Sequence, residues 1–156
     1  MHKRARQTTT VPAEMPLVHD RDTLASVLES FGARLLGEVS DPTVVTVFRL
    51  AIAEAERTPK VARTLDQIGR ETSRAALKEM LAQARALGLL DGDSSEMAEQ
   101  FAGLLWGNLI VSMLLRVVDP PEPREIKRRA RNATSAFLRL YPRPAKPAMT
   151  RACEKE

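Results

Sequence analysis

The sequence has few of the residues that build covalently linked or metal-held folds. Its 156 residues include one cysteine, Cys153, and two histidines, His2 and His19. A single cysteine excludes a disulfide framework and a cysteine-based zinc site, and it suits a reducing compartment such as the cytoplasm. Because these residues lie near the two ends, no Ser-His or Cys-His catalytic pair can form in the body of the chain. We therefore expect no enzyme activity, no catalytic residue, no metal and no cofactor.

Aromatic residues, strand-like alternation and long apolar runs are also scarce. Aromatic side chains make up 4% of the chain, so the core must consist mainly of Leu, Val, Ile, Ala and Met. The charge-free run from Gln100 to Leu115 has 16 residues and includes Asn108 and Ser112. A bilayer core requires roughly 20 apolar residues, so we expect no membrane insertion. The basic N-terminus is not followed by an apolar segment, which excludes a secretory signal.

The net charge of +4 does not lie in the body of the chain. Residues 1–21 and 142–156 contain the whole excess of basic residues, and the remainder has equal numbers of basic and acidic side chains. A nucleic-acid interface would need positive charge clustered on folded structure. We expect a disordered arm at 1–21, a folded domain at 22–141 and a disordered tail at 142–156. The two ends could add only weak, salt-sensitive attraction to polyanions.

Apolar spacing in the folded domain predicts an all-α bundle of about five helices with short connections. The first helix has apolar residues at helical spacing from Leu24 to Leu35. Asp-Pro and Thr-Pro pairs, at 41–42 and 58–59, indicate the starts of the next two helices. The third segment runs to Gly88, with a kink or break at Gly69. The fourth is expected from Ser94 or Ser95 to about Val118, and the fifth from Pro123 to about 140.

The fourth helix is apolar on all sides and must therefore be covered on all sides. Four other short helices can hardly provide that cover, so a second chain is the natural source. Gly103 and Gly107, four residues apart, would let another helix approach closely. Packing entirely within one chain remains the alternative.

The last helix has a narrow apolar seam that is typical of helix pairing. Its positions step by four and three residues: Ile126, Ala130, Ala133, Phe137 and Leu140. The other face contains Lys127, Arg128, Arg129 and Arg131. These side chains form a solvated face or pair with acidic residues of a partner.

Several stretches resemble a known family. "VFRLAIAEAERTPKVARTL" is similar to the regulatory domain of TetR-type bacterial transcription regulators, in the subgroup with an AefR-like C-terminal domain. That subgroup has an Arg-Leu helix ending in Glu-Ala-x-Arg, followed by x-Pro-x-x-Ala. "LAQARALGLLDGDSSEMAEQFAGLLWGNLI" and "IKRRARNATSAFLRLYP" continue the resemblance, which covers residues 22–141.

The resemblance implies an all-α, TetR-type C-terminal domain that forms a homodimer, with the last two helices of each chain forming a four-helix bundle. It also implies a pocket for a small apolar or amphipathic effector. Such regulators begin with a helix-turn-helix unit, and only about 20 residues precede the regulatory domain here. We therefore expect that DNA would be bound only through an N-terminal domain missing from this chain.

We expect a ligand-sensing dimerisation domain; the alternative is a helical scaffold that binds no small molecule. The sensor would have an apolar cavity between the second, third and fourth helices. A close-packed dry core is the alternative for the same residues. Arg49 could receive an acidic group of the ligand or cap its own helix. The predicted ligand-binding residues are Phe48, Ile52, Met80, Phe101, Leu105, Trp106, Leu109 and Met113. The predicted dimer residues are Leu104, Asn108, Val111, Ile126, Ala130, Ala133 and Phe137.

Overall fold

The structure, a computed structural model, describes residues 18–145, and every regular element in that range is helical. The all-α prediction is confirmed, with more helices than expected because two predicted helices are interrupted. The predicted disorder of residues 1–17 and 146–156 lies outside the described residues. In chain order the elements are α1 (Arg21–Val39), α2 (Pro42–Glu54), α3 (Pro59–Asp66), a π-helical turn (Gln67–Glu71), α4 (Thr72–Ala86), α5 (Ser94–Trp106), α6 (Leu109–Leu114) and α7 (Pro123–Leu140).

Aspartate side chains cap the starts of three helices. Asp20, Asp41 and Asp93 accept hydrogen bonds of 2.7, 2.8 and 3.0 Å from backbone N–H groups two or three residues further along. Each bond satisfies a donor that the first helical turn leaves unpaired. The cap of α5 is thus Asp93, one residue before the predicted Ser94. The first helix also begins slightly earlier than predicted, at Arg21.

The third predicted helix is interrupted where a glycine was expected to disturb it. A π-helical turn containing Gly69 separates α3 from α4. The hydroxyl of Thr72 donates to the carbonyl of Gln67 five residues earlier, at 3.4 Å. Glycine destabilises a regular helix, so Gly69 is a natural position for the wider turn.

The fourth predicted helix is also interrupted, and its expected end at Val118 is wrong. Gly107 has φ +47° and ψ −127°, which ends α5, and α6 follows as a separate short helix. Arg116 has φ +57°, which is incompatible with a helix continuing to Val118. The sequence predicted one helix because the helical spacing of apolar residues continues across Gly107 and Asn108. The glycine backbone provides the break instead.

The packed core lies where α1 crosses α5 and α7. Leu28, Phe101 and Phe137 are completely buried. The rings of Phe101 and Phe137 meet edge to face, with centroids 5.5 Å apart and planes at 85°. Gly32 makes the close approach of α1 possible, because a Cβ at this position would lie 3.0 Å from Leu105 Cδ1. The apolar residues at helical spacing in α1, α5 and α7 therefore form a core within one chain.

The apolar seam of α7 belongs mostly to that core, which corrects the predicted dimer interface. Phe137 is completely buried, Ala130 is 1% exposed and Ala133 is 3% exposed within the single chain. Ile126 is half-buried against the same cluster. The four-and-three spacing correctly predicted helix pairing, but the partners are α1 and α5 of the same chain. Such spacing does not tell an intrachain partner from a second copy.

Arg21 ties the beginning of the domain to its end. Its guanidinium donates to the carbonyls of Leu89, Tyr141 and Leu138, at 2.8, 2.9 and 2.6 Å. The last turn of a helix leaves carbonyl groups unpaired, and a cationic donor is favourable there. These bonds hold the N-terminus of α1 against the C-terminus of α7.

The segment from α2 to the π-helical turn is much less covered. No residue of α3 or of the turn is buried. Large apolar side chains are exposed along this segment: Val47, Leu50, Ile52, Val61 and Ile68. Within residues 18–145, no helix combines the length and the hydropathy that crossing a bilayer requires.

Candidate functional site

Five of the eight predicted ligand-binding residues lie together in the core. Met80, Phe101, Leu105, Leu109 and Met113 are all buried and belong to one continuous apolar cluster. They come from α4, α5 and α6, so the fold brings together residues that are distant in sequence. Methionine side chains adapt readily to irregular shapes, which favours a site that can rearrange around a ligand.

The other three predicted residues lie at the edge of this cluster or outside it. Trp106 is half-buried and packs against the cluster, at the end of α5 where the helix breaks. Phe48 is half-buried on α2. Ile52 is 60% exposed and lies outside the buried cluster. The reason is that α3, the next element along the chain, contributes no buried residue and gives Ile52 no cover.

Arg49 has a role that neither sequence-based interpretation anticipated. Its Nε donates to the carbonyl of Leu114 at 2.9 Å, and its Nη2 donates to the carbonyl of Met113 at 2.7 Å. The guanidinium of α2 therefore caps the C-terminus of α6. Two parallel donors suit this task because the arginine fork is planar and fixed.

A groove lies between α5 and α7 on the outside of the domain. It has a volume of about 290 Å³ and contains none of the eight predicted ligand residues. The lining residues are Leu104, Arg128, Arg129, Asn132, Ala133 and Ala136.

Ion pairs hold the arginine side chains along one side of this groove. Arg128 forms a two-pronged pair with Glu125, with N···O distances of 2.6 and 2.9 Å. The side-chain hydrogen bond from Arg128 holds the pKa of Glu125 below its usual value. Arg129 lies 3.8 Å from the same carboxylate and donates to the carbonyl of Leu105 at 3.5 Å. Two cations thus share one exposed anion beside the groove.

The predicted dimer residues between α5 and α6 are accessible in the single chain, unlike those on α7. Leu104 is 36% exposed, Val111 is 54% exposed and Asn108 is also exposed. A side chain added at Gly103 would meet no neighbour within 4 Å, so that backbone is open to solvent in the single chain. These exposed residues are compatible with a second copy.

Sequence reasoning missed the α7 side of the groove. Arg128, Asn132 and Ala136 recur every four residues and so form one stripe along α7. The signal was present, but a basic, polar stripe is usually solvated and was interpreted in that way. The small side chain of Ala136 is what distinguishes this stripe from an ordinary charged face.

Few titratable side chains of the described residues lie close together. In the part of the chain that the structure describes, no three His, Cys, Asp or Glu side chains come together as possible metal ligands. Cys153 lies outside the described residues. His19 is largely exposed and lies 3.2 Å from Asp20, at the start of α1.

Comparisons with known proteins identify the family. The C-terminal domain of AefR-like transcriptional repressors matches residues 26–143. The crystal structure of a TetR transcriptional regulator from Agrobacterium tumefaciens is 31% identical, with a TM-score of 0.70, over 80% of this chain and 63% of that chain. No curated protein matches the chain.

A second solved structure, of a putative TetR-family transcriptional regulator from Mesorhizobium loti, agrees in fold. It is 24% identical, with a TM-score of 0.71, over 76% of this chain and 59% of that chain. The present chain thus spans less than two thirds of either solved regulator. Since the family match covers most of the sequence, the chain belongs to the TetR family of transcriptional regulators, in the group with an AefR-like C-terminal domain.

Proposed function

We propose that this domain senses a small apolar or amphipathic effector for a transcription regulator and holds two copies of that regulator together. The match over residues 26–143 carries the proposal, because TetR-family regulators act as dimers and bind effectors and DNA. Regulators of this family are generally not enzymes, and they work in the cytoplasm, where bacterial DNA is. The scaffold alternative is not favoured by the match.

We infer that the effector enters the apolar cluster from the side of α2. Phe48 and Trp106 are both half-buried and offer aromatic surface to a ligand, and Trp106 packs against the buried cluster. The indole N–H of Trp106 can provide a directional hydrogen bond. Met80 and Met113 would adjust to the shape of the ligand. Burial of an apolar ligand would then stabilise the domain in proportion to the area removed from water.

The test uses Trp106, the only tryptophan in the chain. A broad panel of apolar and amphipathic compounds should include some that change its fluorescence saturably and raise the melting temperature in parallel. The control variant Trp106→Phe should lose the fluorescence signal and keep a smaller rise in melting temperature, because phenylalanine keeps the aromatic contact but lacks the indole N–H. If no compound changed either signal, the effector proposal would fail and the scaffold alternative would replace it.

We also propose that the groove between α5 and α7 meets a second copy. Leu104 supplies its α5 side, and Asn132 and Ala136 supply its α7 side. Asn108 and Val111 are exposed and follow Leu104 in the chain, outside the groove lining. The surface combines exposed apolar side chains with a rim of paired charges, which is the usual composition of an interface. The core residues Ala130 and Phe137 have no part in it.

Light scattering checks this interface. We expect a dimer mass for the wild-type chain and a monomer mass for Ala136→Glu, because the larger side chain would prevent close packing of the second copy in the groove. Ala76→Glu, on the exposed surface of α4, is the matched control and should remain dimeric. A wild-type monomer, or an Ala136→Glu dimer, contradicts the proposed interface.

DNA contact is proposed to depend on chain outside the matched domain. Residues 22–141 contain equal numbers of basic and acidic side chains, so this part of the chain has no net positive charge to attract DNA. We expect residues 1–156 to show no sequence-specific shift of an operator fragment, and any retention should vanish at moderate salt. A specific shift that persists at that salt would contradict this.

A further inference from the structure

The short helix α6 is separated from α5 by a backbone turn that only glycine adopts easily. Gly107 has φ +47° and ψ −127°, whereas a side chain at this position would meet no atom within 4 Å. Backbone conformation, and not lack of space, therefore requires glycine here. Such a turn can act as a hinge, because glycine has access to more backbone conformations than any other residue.

The other end of α6 is held by α2. A helix of six residues is too short to be stable alone, and its last carbonyl groups lack partners within the helix. Arg49 provides those partners by donating to Met113 and Leu114. Leu109 and Met113 of α6 are buried, and α6 packs mainly against α2.

The two sides of α6 have different surroundings. Leu109 and Met113 point into the apolar cluster proposed as the effector site, being 7% and 2% exposed. Val111 and Leu115 are 54% and 71% exposed, beside the surface proposed for a second copy. A movement of α6 would therefore change both surfaces at once.

We propose that Arg49 links α2 and α6 into one unit that moves about Gly107, so that a shift of α2 is passed to the outer surface of α6. This inference rests on the proposed function for its purpose, since the shift of α2 would come from an effector beside Phe48. The receiving surface would be Val111, where the second copy is expected. The link is the pair of hydrogen bonds, and the hinge is the glycine turn.

Arg21 provides a matched control within the same chain. It also donates from its guanidinium to helix-end carbonyls, at Tyr141 and Leu138, but it joins α1 to α7. Loss of either arginine removes charged hydrogen bonds of similar length. Only loss of Arg49 should affect α6.

The first experiment measures amide hydrogen exchange in the full chain. In Arg49→Gln, exchange in α6 should accelerate by at least about tenfold, because charged hydrogen bonds are lost. Exchange in the first three turns of α5 should stay unchanged. In Arg21→Gln, exchange should accelerate at the end of α7 and remain unchanged in α6. Unchanged α6 exchange in Arg49→Gln, or equal acceleration in Arg21→Gln, overturns the link.

Arg49→Lys keeps the inference testable if Arg49→Gln fails to fold. Lysine retains the positive charge but lacks the two parallel donors of the arginine fork. Acceleration in α6 that is smaller than for glutamine but larger than for wild type is expected. Wild-type exchange in Arg49→Lys would show that charge alone suffices and would overturn the two-bond link.

The second experiment asks whether α2 communicates with α6. Phe48→Ala should change α6 exchange in the wild-type background, and this effect should disappear when Arg49→Gln is also present. Equal effects of Phe48→Ala in both backgrounds would overturn the coupling, because independent changes add.

These measurements need neither an effector nor a dimer. If α6 responds as expected while no compound binds, the proposed function fails and the link stands. If compounds bind and the dimer forms while Arg49→Gln leaves α6 unchanged, the link fails and the proposed function stands.

Discussion

Two regions of the domain differ in how they bury apolar residues. The packed region consists of α1, α5 and α7, in which Leu24, Phe101 and Phe137 are completely buried. The open region consists of α2, α3 and the π-helical turn, in which Leu50 is 61% exposed and Ile68 is 70% exposed. Both regions have apolar side chains at helical spacing, but the open region contributes only Val45 to the core cluster.

Apolar residues at helical spacing can therefore serve two different purposes, stability of the fold and local movement. In the packed region, burial of apolar area supplies the stability of the fold. In the open region, few buried contacts oppose local opening, so these helices can move at low cost. Regions of low local stability commonly supply ligand-binding and moving elements. We therefore expect the packed region to support the domain and the open region to respond to ligands.

The largest expected effect is truncation in the packed region. Phe137→Ala should lower the free energy of unfolding by about 3–5 kcal/mol, because it empties a completely buried site. Ile68→Ala in the open region should change it by less than about 0.5 kcal/mol. Urea unfolding measures both values. Equal losses in the two variants would remove the distinction between the regions.

Two glycines of α1 distinguish its packed face from its exposed face. Gly32 faces α5 and α7, and Gly32→Val should cost about 2 kcal/mol through overpacking. Gly37 has open space around its Cβ position, and Gly37→Ala should stabilise the domain by about 0.5–1 kcal/mol. Thermal and urea unfolding measure whether each substitution raises or lowers the free energy of unfolding. Stabilisation by Gly32→Val would contradict the close approach of α1.

The smallest expected effect is in the open region. Leu50→Gln should leave the free energy of unfolding within about 0.5 kcal/mol of wild type, because most of the side chain is already in water. The same substitution should reduce binding of a dye that reports exposed apolar surface. A loss of stability comparable to that of Phe137→Ala would show that Leu50 belongs to a core.

The course of the chain was largely predictable from local signals. Asp41 followed by proline and Thr58 followed by proline correctly indicated helix starts, since these residues act within one turn. Gly69 correctly indicated an irregular turn. The break at Gly107 was missed because the apolar spacing continues on both sides of it, although a Gly-Asn pair is itself typical of a turn.

The candidate site was predictable only in part. The burial of Phe101 and Met113 was predictable because the segment that contains them is apolar on all sides. The partner of α7 did not follow, because the seam at Phe137 fits a helix of the same chain as well as one of a second copy. The role of Arg49 could not be found either, since its two acceptors lie 64 and 65 residues away and are backbone atoms.

The most direct test of the account is amide hydrogen exchange with and without a compound that shifts Trp106 fluorescence. Bound compound should slow exchange in α2, in α6 and around Trp106, because these elements surround the proposed effector site. Exchange in α1 and α7 should change little, since the packed region is already closed. Protection confined to α1 and α7, or a compound panel with no protection in α2 or α6, would contradict the account.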